Sequence, residues 1–432
     1  MEIFNPIVVS VIVLCALCLF RVNVLFALMI SSIVAGALAK MPIQKIMNLF
    51  ISGMGQNSET ALSYILLGAL AAAMTHTGLT KILSIKIANF IKGNKYLLIG
   101  ILVLISIMSQ NLIPVHIAFI PILIPPLLPL MSKLKIDRRV IACSLAFGLK
   151  APYIALPLGF GLIFQGLIAD NMILNGVMVE KTDIWHYSWI LGFVMFVALL
   201  IAIFITYRKP REYEIKDEVI LDNFDEKLNK KHYVTLLGAI ITLIVQLISG
   251  SLPLGALIGL CVIFGFRAIS HKQMDFLINE GVGLMGYIAF VMLVCAGYAL
   301  VLKETGGIES MINSILPIIE HSKLLATLAI LSIGLLITIG IGSSFGTIPI
   351  LAVLFVPMCA KLGFSTPAMI VLIAAAAALG DAGSPASDTT LGPTAGLNAD
   401  NQHNHIKDTC IPTFLHFNIA LIVAAVIAVY IF

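Results

Sequence analysis

The chain has 432 residues, enough for two or three soluble domains. Yet 60% of them are apolar and only 11% charged, against about 45–50% and about 25% in a soluble domain. So few charges cannot solvate a globule of this length, and the chain is read as lying in lipid. The net charge of +4 says little about partners, and no basic, aromatic-laced patch points to nucleic acid.

The first apolar run, 3–20, has Glu2 before it and Arg21 after it. It lacks a basic leader and a small-residue cleavage site, so it is read as a retained helix. Cys15-x-x-Cys18 lies inside it without a strand or a second pair. With Cys143, Cys261, Cys295 and Cys359, also in apolar runs, these are read as small membrane residues.

A second run follows at 22–40 and a third at 59–76. Next is an amphipathic stretch in which Leu79, Ile82, Leu83, Ile87, Phe90 and Ile91 share one helical face. Two short apolar arms, 97–113 and 115–131, flank a polar tip containing Ser109, Asn111 and His116. A broken helix is expected over 139–170, interrupted by Pro152 and Pro157, and a last span over 187–207. Residues 208–232 hold seven basic and seven acidic side chains and read as a cytoplasmic linker.

The same plan then returns. Runs at 233–249, 252–267 and 284–302 precede an amphipathic stretch with Ile308, Met311, Ile312, Ile315, Leu316 and Ile319 on one face. Two arms, 324–339 and 348–360, flank the tip 340–347, which holds Ser343, Ser344 and Thr347. A broken helix over 366–397, interrupted at 380–396, leads to a last span, 412–432. Sliding the chain by 228 residues aligns the two passages without a gap. Gly53 meets Gly281, Thr77-Gly78 meets Thr305-Gly306, the 120–123 stretch Ile-Pro-Ile-Leu meets 348–351, and Pro157 meets Pro385. Glycine and proline determine backbone path, so their coincidence outweighs matching leucines.

Counting Lys and Arg with 208–232 inside puts nineteen basic residues on that side and six on the other, as the positive-inside rule requires. This needs five crossings per half. An odd number inverts the second copy. The expected fold is therefore an all-α polytopic membrane protein of two inverted-topology repeats, 1–207 and 233–432. Each has about five spans, a hairpin and a broken helix. The short arms with polar tips suit re-entrant hairpins buried in protein, although two ordinary crossings joined by a tight turn remain open.

Inverted repeats with discontinuous helices are the architecture of secondary transporters. The richest segment, 380–394, offers Asp381, Ser384, Asp388 and Thr389 on a backbone loosened by Gly and Pro. Carboxylate, hydroxyl and carbonyl oxygens suit a hard cation. A solvated loop uses the same residues, but the matching first-half stretch is almost wholly apolar. Lys150 is the one basic residue inside a span. It is expected near Asp381 or Asp388, filling the place of a second cation with a fixed charge. Snorkelling to an interface is the alternative. The tip residues Ser109, Asn111, His116, Ser343, Ser344 and Thr347 are candidates for substrate binding, or for hydrogen bonds between packed helices. His403-x-His405 spaces two imidazoles without a further ligand, and no resident metal is expected.

The stretch from Gly380 through Gly-Leu-Asn-Ala-Asp (396–400), Gln402-His403-Asn404-His405, Asp408-Thr409-Cys410 and Pro412-Thr413-Phe414-Leu415-His416 resembles the bacterial Na+/H+ antiporter family of NhaC-like proteins, within the ion transporter superfamily. The resemblance implies a multi-pass protein of the bacterial inner membrane. It also implies a homodimer whose scaffold supports a transport domain moving as an elevator, with hairpin tips and helix breaks forming the sites. Na+ and/or H+ would be the coupling ions, with no cofactor. The transported species stays open between cation/proton antiport and cation-coupled transport of a small amino acid such as histidine. The first-half break lacks a carboxylate, so a symmetric pair of acidic sites is not expected. A channel would want a continuous polar pore. An enzyme would want a nucleophile–base set, a metal cluster or a cofactor motif, and none has convincing spacing.

Overall fold

The computed structural model describes the chain except residues 1–4, 21, 56–57, 80–81, 83–85, 87–89, 92, 112–115, 159, 215–227, 250, 308–309, 311–321 and 343. The regular structure among the described residues is helical, without strands. Long apolar stretches in lipid must satisfy every backbone group internally, and a helix does so. Caps mark where helices begin. Asn5 accepts from the Ile7 and Val8 amides, Asp137 from Arg139, Ser322 from Leu325 and Ser365 from Ala368.

Four helices are long and apolar enough to cross a membrane among the described residues: Lys181–Thr206, Met285–Glu304, Lys323–Ile341 and His405–Ile431. Arg138–Ala155 with Phe160–Leu174, bent by 49°, and Ser344–Ala352 with Phe355–Lys361, bent by 45°, raise this to as many as six. Other apolar helices, such as Pro6–Cys18 and Val24–Leu38, are shorter. The amphipathic stretch after 308 lies largely outside the described residues, as does the tip 112–115.

The apolar core divides into two bodies, and neither follows the halves of the sequence. One body joins residues between 91 and 203 to residues between 326 and 429. The other joins residues between 7 and 73 to residues between 234 and 302, in two clusters. Ile339, Ala386 and Leu391 pack into this second body and carry the boundary.

Helix contacts recur at the spacing seen in the sequence. A methyl added at Gly148 would come 2.5 Å from the Ser106 Cβ, and one added at Gly334 would come 2.6 Å from the Ala376 Cβ. Small residues let these helix pairs approach closely. Gly53 lies against Gly297, and Gly281 lies against Ala69.

The first broken helix bends where expected, but Pro152 lies within the Arg138–Ala155 helix and the break falls at Leu156 to Leu158. The second break is shorter than the sequence reading. Thr366–Ala378 ends at Leu379, and a helix resumes at Asp388 with Pro393 inside it, so only the early part of 380–396 is irregular. As the sixth of the ten residues of the Asp388–Leu397 helix, Pro393 lies past the first turn, so it removes the amide that would bond the Thr389 carbonyl, and the helix continues to Leu397 without that bond. The tip of the second hairpin is also tighter, since Lys323–Ile341 runs up to a left-handed Gly342 and Ser344 opens the next helix.

Candidate functional site

The break between Thr366–Ala378 and Asp388–Leu397 is held open by its neighbours. Gly380 and Gly383 adopt φ of 85° and 113°, which side-chain-bearing residues rarely reach. Asn418 of the last span accepts from the Gly380 amide at 3.2 Å and donates to the Ala382 carbonyl at 2.9 Å. Ser384 donates to Ile339 O, Thr390 donates to Ser384 O, and His405 Nε2 lies 3.0 Å from Pro385 O. Several backbone groups freed by breaking the helix are thus satisfied by side chains.

Asp381 stands in this break and is almost wholly buried. Ser344 donates to its Oδ2 at 2.7 Å, and the Tyr153 hydroxyl lies 3.2 Å from the same oxygen. Tyr153 also lies 3.1 Å from Ser344 Oγ, so its single proton has two acceptors. The Lys150 ammonium is 3.4 Å from Oδ2 and donates to the Ala378 carbonyl. On the other side Ser387 donates to Oδ1, and Thr389 Oγ1 lies 3.3 Å from it and 3.0 Å from Asp381 O. A buried carboxylate therefore meets one ammonium and four hydroxyls. Hydroxyls rotate between donating and accepting, so this shell can hold either a carboxylate alone or a carboxylate with a small cation.

The structure brings Lys150, Ser344, Asp381 and Thr389 together. Lys150 is completely buried and does not snorkel. Asp388 sits at the edge of the group, with its Oδ1 3.4 Å from Ser387 Oγ. Ser384 is turned to Ile339 and holds the break instead of facing the carboxylate. Thr347 lies one helical turn from Ser344, where its hydroxyl donates to the Ser344 carbonyl and meets Thr338 at 3.4 Å. Ser109 is buried and donates within its own helix to Ser106 O. Ser343 and the side chains of Asn111 and His116 lie outside the described residues. His403 and His405 do not share a ligand: His403 Nε2 meets Thr409 at 2.7 Å, and His405 Nδ1 meets Thr394 at 2.8 Å.

Tyr153 and Asn418 are not singled out by the sequence, and Ser387 is there only as part of the rich segment 380–394. Tyr153 was in reach, because the 228-residue offset pairs it with Asp381 and the structure joins the two. Ser387 lay in the same motif. Asn418 had no signal, being one amide in an apolar span.

A second group of charges, buried at Arg138 and half-buried at Asp400 and Arg211, closes the start of the Arg138–Ala155 helix. Arg138 donates to both oxygens of Asp400, at 2.7 and 2.6 Å, and its guanidinium stacks 4.2 Å from the Tyr213 ring. Arg211 donates to Asp408 at 2.8 Å, and Gln402 bonds the Glu214 backbone in both directions. The start of the linker is thus tied down.

Two family descriptions match the chain. The Na+/H+ antiporter family matches residues 144–428, and a second Na+/H+ antiporter family description matches residues 5–91. The chain belongs to the Na+/H+ antiporter family, and it is a multi-pass membrane transporter of that family. It is 47% identical to an uncharacterized membrane protein of Vibrio parahaemolyticus, over 98% of this chain and 99% of that one. It is 45% identical to the "Putative amino acid transporter YuiF" of Bacillus subtilis, over 98% and 99%. Among solved structures, MtrF of Neisseria gonorrhoeae overlays with a TM-score of 0.42 at 15% identity, over 90% of this chain and 85% of that one. The YdaH transporter of Alcanivorax borkumensis gives 0.42 at 13% identity, over 90% and 88%.

Proposed function

We propose that the protein is a cation/proton antiporter in which Asp381 binds Na+ and H+ in turn. The observation that carries this reading is the buried Asp381 carboxylate on a broken helix, with Ser387 and Thr389 around Oδ1 and Ser344 and Tyr153 at Oδ2. A cation and a proton competing for one carboxylate exclude each other, and that competition is antiport. Two inverted repeats are supported by the recurring contacts. Ser106 with Gly148 has its counterpart in Gly334 with Ala376, and Gly53 with Gly297 has its counterpart in Gly281 with Ala69. Elevator-type movement is supported by the placement of Lys150, Tyr153, Ser344, Asp381, Ser387 and Thr389. Lys150, Tyr153 and Asp381 stand on segments of one core body, while Ser387 and Thr389 lie between Ala386 and Leu391, which pack into the other, so the group sits where the two bodies meet.

Amino-acid transport is the second reading. The relative in Bacillus subtilis bears that name. An apolar cavity of about 230 Å³, lined by Cys15, Cys18, Cys410 and Phe414 among others, also reaches Gly383 and Pro385 of the break. It offers room for an apolar side chain beside the polar site. Proteoliposomes separate the two. Internal pH and radiolabelled amino-acid uptake are followed with and without a Na+ gradient, for wild type and Asp381→Asn. A Na+-driven pH change without amino acid, lost in the variant, is the expected result. Amino-acid accumulation that depends on either gradient selects the second reading. Transport intact in Asp381→Asn removes the site from both.

A further inference from the structure

The two helix breaks meet position by position. Lys150 donates to Ala378, and Tyr153 lies against Asp381, and in both pairs the partners stand 228 residues apart. Each residue thus faces its own counterpart in the other half. Strict symmetry would give both halves the same donors. Instead, Tyr153 stands where the first half would carry a carboxylate, and a lysine stands at the counterpart of Ala378.

The surroundings of the Lys150 ammonium are those of a cation. It lies beyond the C-terminal end of Thr366–Ala378, where helix carbonyls lack internal partners and the dipole is negative. One of those carbonyls and the Asp381 carboxylate are its oxygen partners. Carbonyl and carboxylate oxygens at a helix break are the donors a membrane protein offers to an alkali cation. The oxygens of Asp381 are divided accordingly. Oδ2 faces Lys150, Ser344 and Tyr153, whereas Oδ1 faces Ser387 and Thr389.

We infer that Lys150 is a resident cation filling one of two cation places around Asp381, so that only the place beside Oδ1, Ser387 and Thr389 exchanges a hard monovalent cation. The ammonium then fixes how many cations the site takes, and removing it opens a second place of similar chemistry. This rests on the reading that Asp381 binds a cation, and it deepens that reading by setting the number bound.

The test is thermal unfolding of the purified full chain in detergent, titrated with NaCl against choline chloride at constant ionic strength. A ligand bound only by the folded state raises the unfolding temperature with a slope set by the number of ions taken up. Lys150→Ala should unfold at lower temperature without Na+ and recover as Na+ is added, with a slope about twice that of wild type. Methylammonium should also restore Lys150→Ala while leaving wild type unmoved. The double variant Lys150→Ala/Asp381→Asn should lose the added response. Lys150→Gln, closer in length, serves as the second variant with the same expectations for Na+. Equal Na+ slopes in wild type and both variants overturn the inference. So does failure of both variants to accumulate folded protein when made and purified in Na+, since the cation should replace the ammonium. A Na+ response in Lys150→Ala with none in wild type upholds the resident cation and counts against Na+ as the transported ion. Na+-dependent transport by wild type with unchanged slopes in the variants does the reverse.

Discussion

Arg138 and Lys150 stand on one helix, both wholly buried, and each is paired with a carboxylate from the second half of the chain. Their surroundings differ in kind. Arg138 grips Asp400 with two parallel bonds, donates to Leu397 O, and is covered by Tyr213. A planar fork on a carboxylate fixes both partners and leaves no place for an ion. Lys150 is a single ammonium 3.4 Å from Asp381, and the remaining partners of that carboxylate are hydroxyls. The first arrangement fastens the fold, and the second has partners that rotate, as the proposed cation site requires. Burial of charge alone therefore does not mark a transport site. The geometry and rotatability of the partners are what the proposed site rests on.

The largest expected effect comes from breaking the fastening. Arg138→Met leaves Asp400 without its partner, and removing one member of a buried pair costs about 3–5 kcal/mol. The unfolding temperature in detergent should fall accordingly, while Asp381→Asn should abolish transport with a smaller change in unfolding. If Arg138→Met unfolds like wild type yet stops transport, the division between the two regions is wrong.

The next effect tests the exchangeable site. Ser387→Ala removes a hydroxyl from Oδ1, and a hydrogen bond to a charged group contributes about 1.5–3 kcal/mol. The half-saturating Na+ concentration should rise by about tenfold or more. Ser384→Ala should instead act on stability, because that hydroxyl bonds Ile339 O at the break. Equal shifts of Na+ affinity in both variants would erase the distinction drawn between them.

These regions were unequally legible in the sequence. Asp381, Lys150 and the breaks stood out because charge is costly in an apolar run, and the repeat gave each break a counterpart. Arg138, Arg139 and Arg211 were read only as markers of membrane sidedness, and 208–232 only as a linker. Nothing local marks a docked segment: Arg211, Tyr213 and Glu214 find their partners some 75 to nearly 200 residues away. The extent of the second break was overestimated for a related reason. Gly, Pro and Thr at 392–394 suggest a loop, but Ser387 caps the Asp388–Leu397 helix and packing against the Arg138–Ala155 helix keeps it helical.

A smaller effect should appear with pH at the fastened end. His403 is buried, and burial pushes its imidazole down to about 4, against the charge of Asp408, which raises it. The folded value lies below the ordinary 6.5, so between the two the folded state binds fewer protons than the unfolded one. Stability from this group is complete above the ordinary value and is lost as pH falls through the window toward the folded value. Burial raises Asp400, but the hydrogen bond and charge of Arg138 outweigh it and hold this carboxylate below 3.8. Its contribution is present above that value and is lost as pH falls through the folded one. The unfolding temperature should therefore drop as pH falls from about 6.5 toward about 4, and His403→Gln should flatten that drop. An unchanged pH profile in the variant would assign the loss to other groups.

The smallest effect separates stacking from hydrogen bonding in the docked segment. Tyr213 accepts from the Arg138 amide at 3.0 Å through its hydroxyl, and the Arg138 and Arg211 guanidinium groups lie over its ring at 4.2 and 5.3 Å. Tyr213→Phe keeps the ring and leaves the Arg138 amide without this acceptor, for a cost of about 0.5–1.5 kcal/mol. Tyr213→Ala also loses the cation–π contacts and uncovers the guanidinium, so it should cost more and admit water to the Arg138–Asp400 pair. Both should leave the half-saturating Na+ concentration unchanged. If Tyr213→Ala weakened Na+ as Ser387→Ala does, the docked segment would be coupled to the transport site, and Arg138–Ala155 would link the two regions instead of keeping their roles apart.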